Sequence, residues 1–113
     1  FNVSHWHMGL VKTLAYPGLL YVSRNGIRFT ETAIDGNPGD NFSVSCGQIQ
    51  ELALSDANTK SDYKRANCKH LHLKIEGRNY NFDADTLATC TQGQYRTPAI
   101  VQAIAGACGI TPR

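Results

Sequence analysis

Two segments constrain this chain more than anything else in its sequence. From Leu19 to Glu31, Leu20 and Val22 alternate with less apolar neighbours, Arg24-Asn25-Gly26 interrupts, and Ile27 and Phe29 resume the alternation. From His70 to Asp83, Leu71, Leu73 and Ile75 alternate with His70, His72 and Lys74, Glu76-Gly77-Arg78-Asn79 interrupts, and Tyr80 and Phe82 follow. Successive side chains of a strand point to opposite faces, so a period of two on both sides of a short turn is the pattern of a β-hairpin with one buried face. Asn25-Gly26 suits a tight reversal because both residues tolerate positive φ.

The remaining segments extend this pattern. Asn2 to Val11 reads as a strand with Trp6 and Met8 on one face and His5 and His7 on the other, and Tyr16-Pro17-Gly18 then turns the chain. Asp35-Gly36-Asn37-Pro38-Gly39-Asp40 is too dense in turn residues for a central strand and is expected as a surface loop. Phe42, Val44 and Cys46 alternate, and the pattern resumes out of step at Ile49, Leu52 and Leu54, so Gly47 marks a bulge or corner. Ser55 to Lys69 is polar and reads as a long exposed loop or a strand end with a mobile tip, and Thr86 to Tyr95 as another loop.

The last element is a helix. Thr97 suits the N-cap, Pro98 the first helical position and Gly109 the C′ position. Ile100, Val101, Ile104, Ala105 and Cys108 fall on one stripe that must be buried, and the open end of a curled sheet is the surface available. Burying the three larger side chains stabilises the fold by roughly 1.5 to 3 kcal/mol each. The expected fold is therefore mainly β: a curled antiparallel barrel or two near-orthogonal sheets of about seven strands, capped by one C-terminal helix.

Three stretches resemble the pleckstrin-homology-like superfold, including its GRAM-type branch: GLLYVSRNGIRF from Gly18 to Phe29, FSVSCGQI from Phe42 to Ile49, and LHLKIEGRNYNF from Leu71 to Phe82. The resemblance implies two nearly orthogonal antiparallel sheets closed by the helix, and binding of lipids, peptides or a neighbouring domain. Phosphoinositide binders of that family gather several Lys and Arg residues beside the first hairpin loop. The segment between the first two strands here offers Lys12 alone, which argues against recognition of an inositol phosphate.

At 113 residues the chain, 1–113, fits one domain, and with 42% apolar and 18% charged residues it has the composition of a globular protein rather than a disordered one. A formal charge of +2 is far from the field of a dedicated nucleic-acid binder, so no specific nucleic-acid partner is expected. No apolar run reaches the roughly 20 residues needed to span a bilayer; Ala99 to Ala107 is broken by Gln102. The chain starts at Phe1 without a charged leader or apolar signal core, and is read as a domain excised from a longer protein, cytoplasmic by default. Cys46, Cys68, Cys90 and Cys108 form no C-x-x-C pair, and the leading expectation is free buried thiols, with one disulfide between Cys68 and Cys90 as the alternative.

Chemical motifs are sparse. His5 with His7 and His70 with His72 are two His-x-His pairs, each with ligands on one strand face, and four imidazoles suit zinc or copper if the two strands are neighbours. Surface histidines beside apolar strand residues are commonly only solvated, and no cofactor is expected. Lys60, Lys64, Arg65, Lys69, Lys74 and Arg78 hold most of the positive excess and are the candidate anion-binding residues. Ser43 and Ser45 have no local base, Asp83 and Asp85 read as a turn, and the glycines show no phosphate-cradling order, so an enzyme is not expected. The leading expectation is a non-catalytic interaction module that binds a peptide, a neighbouring domain or a partner protein by a strand edge or the groove beside the helix. Peripheral binding to an anionic membrane through residues 60–78 is the second reading and histidine-based metal binding the third.

Overall fold

The structure, a computed structural model, describes residues 1–8, 13–32, 41–56 and 65–113. Its strands are β1 (Asn2–Met8), β2 (Thr13–Ser23), β3 (Gly26–Glu31), β4 (Asn41–Ser45), β5 (Ile49–Asp56), β6 (Lys69–Ile75) and β7 (Arg78–Asp83). A 3₁₀ turn, Cys46–Gln48, joins β4 to β5, and two helices follow β7: α1 (Leu87–Thr91) and α2 (Thr97–Cys108). All strands pair antiparallel in one sheet of order β4-β3-β2-β1-β7-β6-β5.

Both hairpins form where the alternation places them. Ser23 pairs with Gly26 across Arg24-Asn25, and Ile75 pairs with Arg78 across Glu76-Gly77. The second turn is tighter than the four-residue reversal expected, because Glu76 and Gly77 both take positive φ, 50° and 81°, as a two-residue hairpin loop requires. At Gly26 the need for glycine has another cause: φ is +152°, and a Cβ there would overlap the Val44 carbonyl oxygen of β4. The β3–β4 contact therefore depends on a missing side chain.

Tyr16-Pro17-Gly18 does not turn the chain. These residues lie inside β2, Pro17 paired with Ser4 and Gly18 with Val3. The aromatic ring of Phe29 and the carbonyl oxygen of Thr30 approach within 2.8 Å of where a Gly18 Cβ would stand, so glycine lets a core ring lie against the strand. Thr86 to Tyr95 is not all loop either. Thr86 accepts the Thr89 N–H at 3.2 Å, and the Thr89 hydroxyl accepts the Thr86 N–H at 3.0 Å, a reciprocal cap that starts α1.

The sheet curls over its own core. Phe29 of β3 and Phe82 of β7 are separated by β2 and β1 in strand order, yet their rings meet edge to face at 4.8 Å, and Phe42 of β4 lies 4.9 Å from Tyr80. Leu20, Ile27, Leu52, Leu71, Leu73 and the α2 residues Ile100, Val101 and Ile104 complete this core, as the alternation and the helical stripe require. β4 and β5 do not pair, so the sheet stays open where a closed barrel was one expectation. The chain between them is a 3₁₀ turn that leaves the ladder, and α2, which packs on β2, β3, β5 and β6, covers the gap with side chains in place of backbone hydrogen bonds.

The expectation of free thiols is corrected: Cys46 is bonded to Cys108 and Cys68 to Cys90. The first bridge ties the β4–β5 corner to the end of α2, and the second ties the start of β6 to α1. The second was the pairing anticipated. The first joins positions 62 residues apart that only the tertiary fold brings together. Gly109 ends α2 with φ of 66°, and the Gly109 and Ile110 N–H groups both donate to the Ala105 carbonyl.

Candidate functional site

Among the described residues the sheet ends in β4 on one side and β5 on the other, and they differ in what meets their backbones. On β5 the Arg113 N–H donates to the Leu52 carbonyl at 2.9 Å, the Arg113 guanidinium donates to Glu51 Oε1 at 3.0 Å, and Ile110 packs against the core. The chain's own C-terminal residues thus meet this edge at Glu51 and Leu52.

β4 is arranged differently. The Ser45 N–H donates to the Gln48 side chain at 2.8 Å and so faces away from β3, whereas the Cys46 N–H donates back to the Asn25 carbonyl. Backbone direction alternates along an antiparallel strand, so Ser43 and Asn41 also turn their N–H and C=O groups outward, while Val44 and Phe42 bond to β3. Side-chain burial alternates in step: Asn41, Ser43 and Ser45 are exposed, and Phe42 and Val44 are half-buried. The result is an edge with outward hydrogen-bonding groups and short polar side chains on one face.

Beside that edge lies an open pocket of about 250 Å³ whose lining includes Tyr21, Ser23, Asn25, Arg28, Ser43 and Val44. Register accounts for the grouping: Tyr21 pairs with Arg28 and Arg28 with Ser43, so one cross-strand row runs from β2 to the β4 edge. The Arg28 guanidinium lies 4.5 Å from the Tyr21 ring centroid, a cation–π contact that holds it over the outer face. No carboxylate among the described residues pairs with it. The alternation of the first hairpin leaves Tyr21 and Arg28 on the face opposite Leu20, Val22, Ile27 and Phe29. What it lacked was any sign that β4 would end the sheet.

A second polar cluster is buried. Asp85 Oδ1 accepts the Arg96 N–H at 2.6 Å and the Thr89 hydroxyl at 3.1 Å, and its Oδ2 accepts the Thr97 N–H at 3.0 Å. Thr97 was expected to be the N-cap of α2; it is the first helical residue instead, and the cap comes from this carboxylate, 12 positions earlier. Thr97 Oγ1 donates to Asp83 Oδ1 and accepts the Ala84 N–H. Asp83 and Asp85 were expected in a turn; instead Asp83 ends β7, paired with Ser4, and Asp85 lies in the connection beyond it, and both carboxylates anchor α2. His70 Nδ1 stands 3.7 Å from Asp83 Oδ2, and burial lowers the His70 pKa below its ordinary 6.5 even beside that carboxylate.

The residues singled out from sequence are dispersed. His70 and His72 share a face of β6, but His70 is buried against Asp83 and His72 Nδ1 lies 3.0 Å from Asn81 Oδ1. His5 and His7 belong to β1, with their side chains outside the described residues, and β7 separates β1 from β6. The neighbouring strands that a four-imidazole centre needs are thus not neighbours. No group of three or more His, Cys, Asp or Glu among the described residues is placed to hold a metal ion.

Lys60 and Lys64 lie outside the described residues. Arg65 is exposed ahead of Cys68, Lys69 starts β6 opposite Asp56, and Lys74 sits between Glu51 and Asn79. Lys69 and Lys74, an odd number of residues apart on one strand, project to opposite faces about 16 Å apart. The Arg78 guanidinium lies 5.5 Å from the Tyr80 ring centroid. These four cations do not converge on one point. No helix among the described residues is long and apolar enough to cross a membrane. No family model, no curated protein and no solved structure matches the chain.

Proposed function

We propose that the chain is a non-catalytic recognition module of pleckstrin-homology-like architecture that binds an extended segment of a partner protein along β4. The observation that carries this reading is the contrast between the two edges: β5 already receives the chain's own C-terminal residues, while β4 turns the Asn41 and Ser43 backbone groups outward beside a pocket. Strand addition uses such groups for affinity and alternate side-chain pockets for selectivity. The strand order β4-β3-β2-β1-β7-β6-β5, with a C-terminal helix over the open corner, supports the pleckstrin-homology-like assignment. The two disulfides support an oxidising compartment as its working place, in contrast to the cytoplasmic setting expected from the sequence.

The experiment is a Ser43→Pro substitution. The Ser43 N–H faces outward, so proline removes a donor for an added strand without removing one from the β3–β4 ladder. Binding of extended peptides, followed by amide chemical shifts, is expected to centre on residues 41–45 in the parent protein and to vanish in the variant, whose spectrum otherwise stays folded. Peptide-induced shifts that map elsewhere and survive the substitution would refute β4 as the docking edge.

A further inference from the structure

The geometry points to an acidic side chain as the specificity determinant of the segment that β4 receives, an inference that rests on the reading of β4 as the docking edge. A strand added to β4 continues the cross-strand row Tyr21–Arg28–Ser43 by one residue. Because Ser43 directs its backbone groups outward, the incoming residue opposite it forms a hydrogen-bonded pair, and its side chain lies on the same face as Ser43 and Arg28. Two strand spacings put its Cα about 10 Å from the Arg28 backbone. A Glu and an Arg side chain span that distance between them, and the side chain over which they meet, Ser43, is short.

The pocket there is lined by Val22, Ile27 and Val44 as well as by polar residues, and among the latter Arg28 and Ser43 are placed to meet a carboxylate. Arg28 supplies a permanent positive charge, Ser43 a hydroxyl and Asn25 an amide, while the Ser23 hydroxyl is already bonded to the Gly26 carbonyl. Tyr21 restricts the guanidinium by cation–π contact, which lowers the entropy lost when it engages a ligand. No carboxylate of the described chain competes for it.

The same charge argues against a second copy of this chain as the occupant. Antiparallel pairing of β4 with its own copy, centred on Ser43, would bring two Arg28 side chains towards each other, and β4 itself, Asn41–Ser45, contains no acidic residue to offset them. A partner strand that carries Glu opposite Ser43 meets the edge, the pocket and the charge together.

The test uses three synthetic pentapeptides, acetylated and amidated: Thr-Val-Glu-Val-Thr, its Gln analogue and its Lys analogue. Each is titrated into the disulfide-bonded protein and read by amide shifts of residues 21–28 and 41–45, with Arg28→Gln and Ser43→Pro variants alongside. The Glu peptide is expected to bind about tenfold more tightly than the Gln peptide, and Lys more weakly still. In Arg28→Gln the Glu-to-Gln ratio should fall to about one with Gln-peptide affinity unchanged, and Ser43→Pro should abolish binding of all three. Equal affinity for Glu and Gln in the parent protein, with loss in Ser43→Pro, overturns the acidic preference and leaves the edge reading standing. Failure of all three peptides to shift residues 41–45 overturns both. A concentration-dependent rise in molecular mass without peptide, with broadening confined to residues 41–45, would make a second copy the occupant and also overturn the inference.

Discussion

Removing the Cys46–Cys108 bridge by a Cys46→Ala/Cys108→Ala double substitution is the sharpest test of how α2 is held over the open side of this sheet. The bridge closes a loop of 62 residues, within which the Cys68–Cys90 bridge already short-circuits 22. The effective loop is therefore about 40 residues, and loop-closure entropy at that length amounts to about 4 kcal/mol at room temperature. Against a typical domain stability of about 5 to 15 kcal/mol this is a large share, equivalent to a fall in melting temperature of roughly 10 to 20 °C. The assay is urea unfolding followed by far-ultraviolet circular dichroism. Both the midpoint and the extrapolated stability should drop, and the denaturant slope should rise because the unfolded chain exposes more surface once the outer loop is cut. A loss below about 1 kcal/mol with an unchanged slope would refute the reasoning, since the bond would then impose no constraint on the unfolded chain.

Three further outcomes follow from the buried polar cluster and the first hairpin. Asp85→Ala strips two backbone N–H groups at the start of α2 and the Thr89 hydroxyl of their acceptor, and should cost about 2 to 4 kcal/mol in urea unfolding, with Asp85→Asn intermediate. Because burial holds the His70 pKa below 6.5, the unfolded chain takes up that proton first as pH falls. His70's contribution is thus fully present above about pH 6.5, diminishes below it, and levels off once folded His70 is itself protonated. A His70→Gln variant should show a flatter urea midpoint than the parent between pH 7 and pH 5; parallel curves would contradict this assignment. Gly26→Ala, which places a methyl group against the Val44 carbonyl at a φ of +152°, should cost about 1 to 3 kcal/mol and speed amide exchange along β4 ahead of the other strands.

Local pattern fixed the elements whose energetics are local. Period-two alternation identified both hairpins because burial of one face is written into every second residue, and Tyr80 and Phe82, which follow the second turn at that spacing, are buried in the core. The stripe of α2 and its Gly109 terminus were legible for the corresponding reason at a period of 3.6. Pro17-Gly18 misled, because proline and glycine signal a turn unless a partner strand makes use of them; here Phe29 packs where a Gly18 side chain would stand, and Val3 and Ser4 pair alongside. The reciprocal Thr86–Thr89 cap escaped notice because its members are ordinary loop residues until a helical turn brings them together.

The sequence by itself determined that this chain is mainly β with one terminal amphipathic helix, since side-chain alternation and helical periodicity are properties of consecutive residues. The tertiary structure alone decided which strands become edges, which thiols meet, and what caps the helix. Each of those depends on residues far apart in the chain: Arg113 closes on Leu52, Cys46 on Cys108, and Asp85 on Thr97. The outward row of Tyr21, Arg28 and Ser43 belongs to both levels. Its parity was readable from the hairpin, but its place beside a sheet edge exists only because β4 is the last strand of the described sheet on that side, while Arg113 meets β5 on the other.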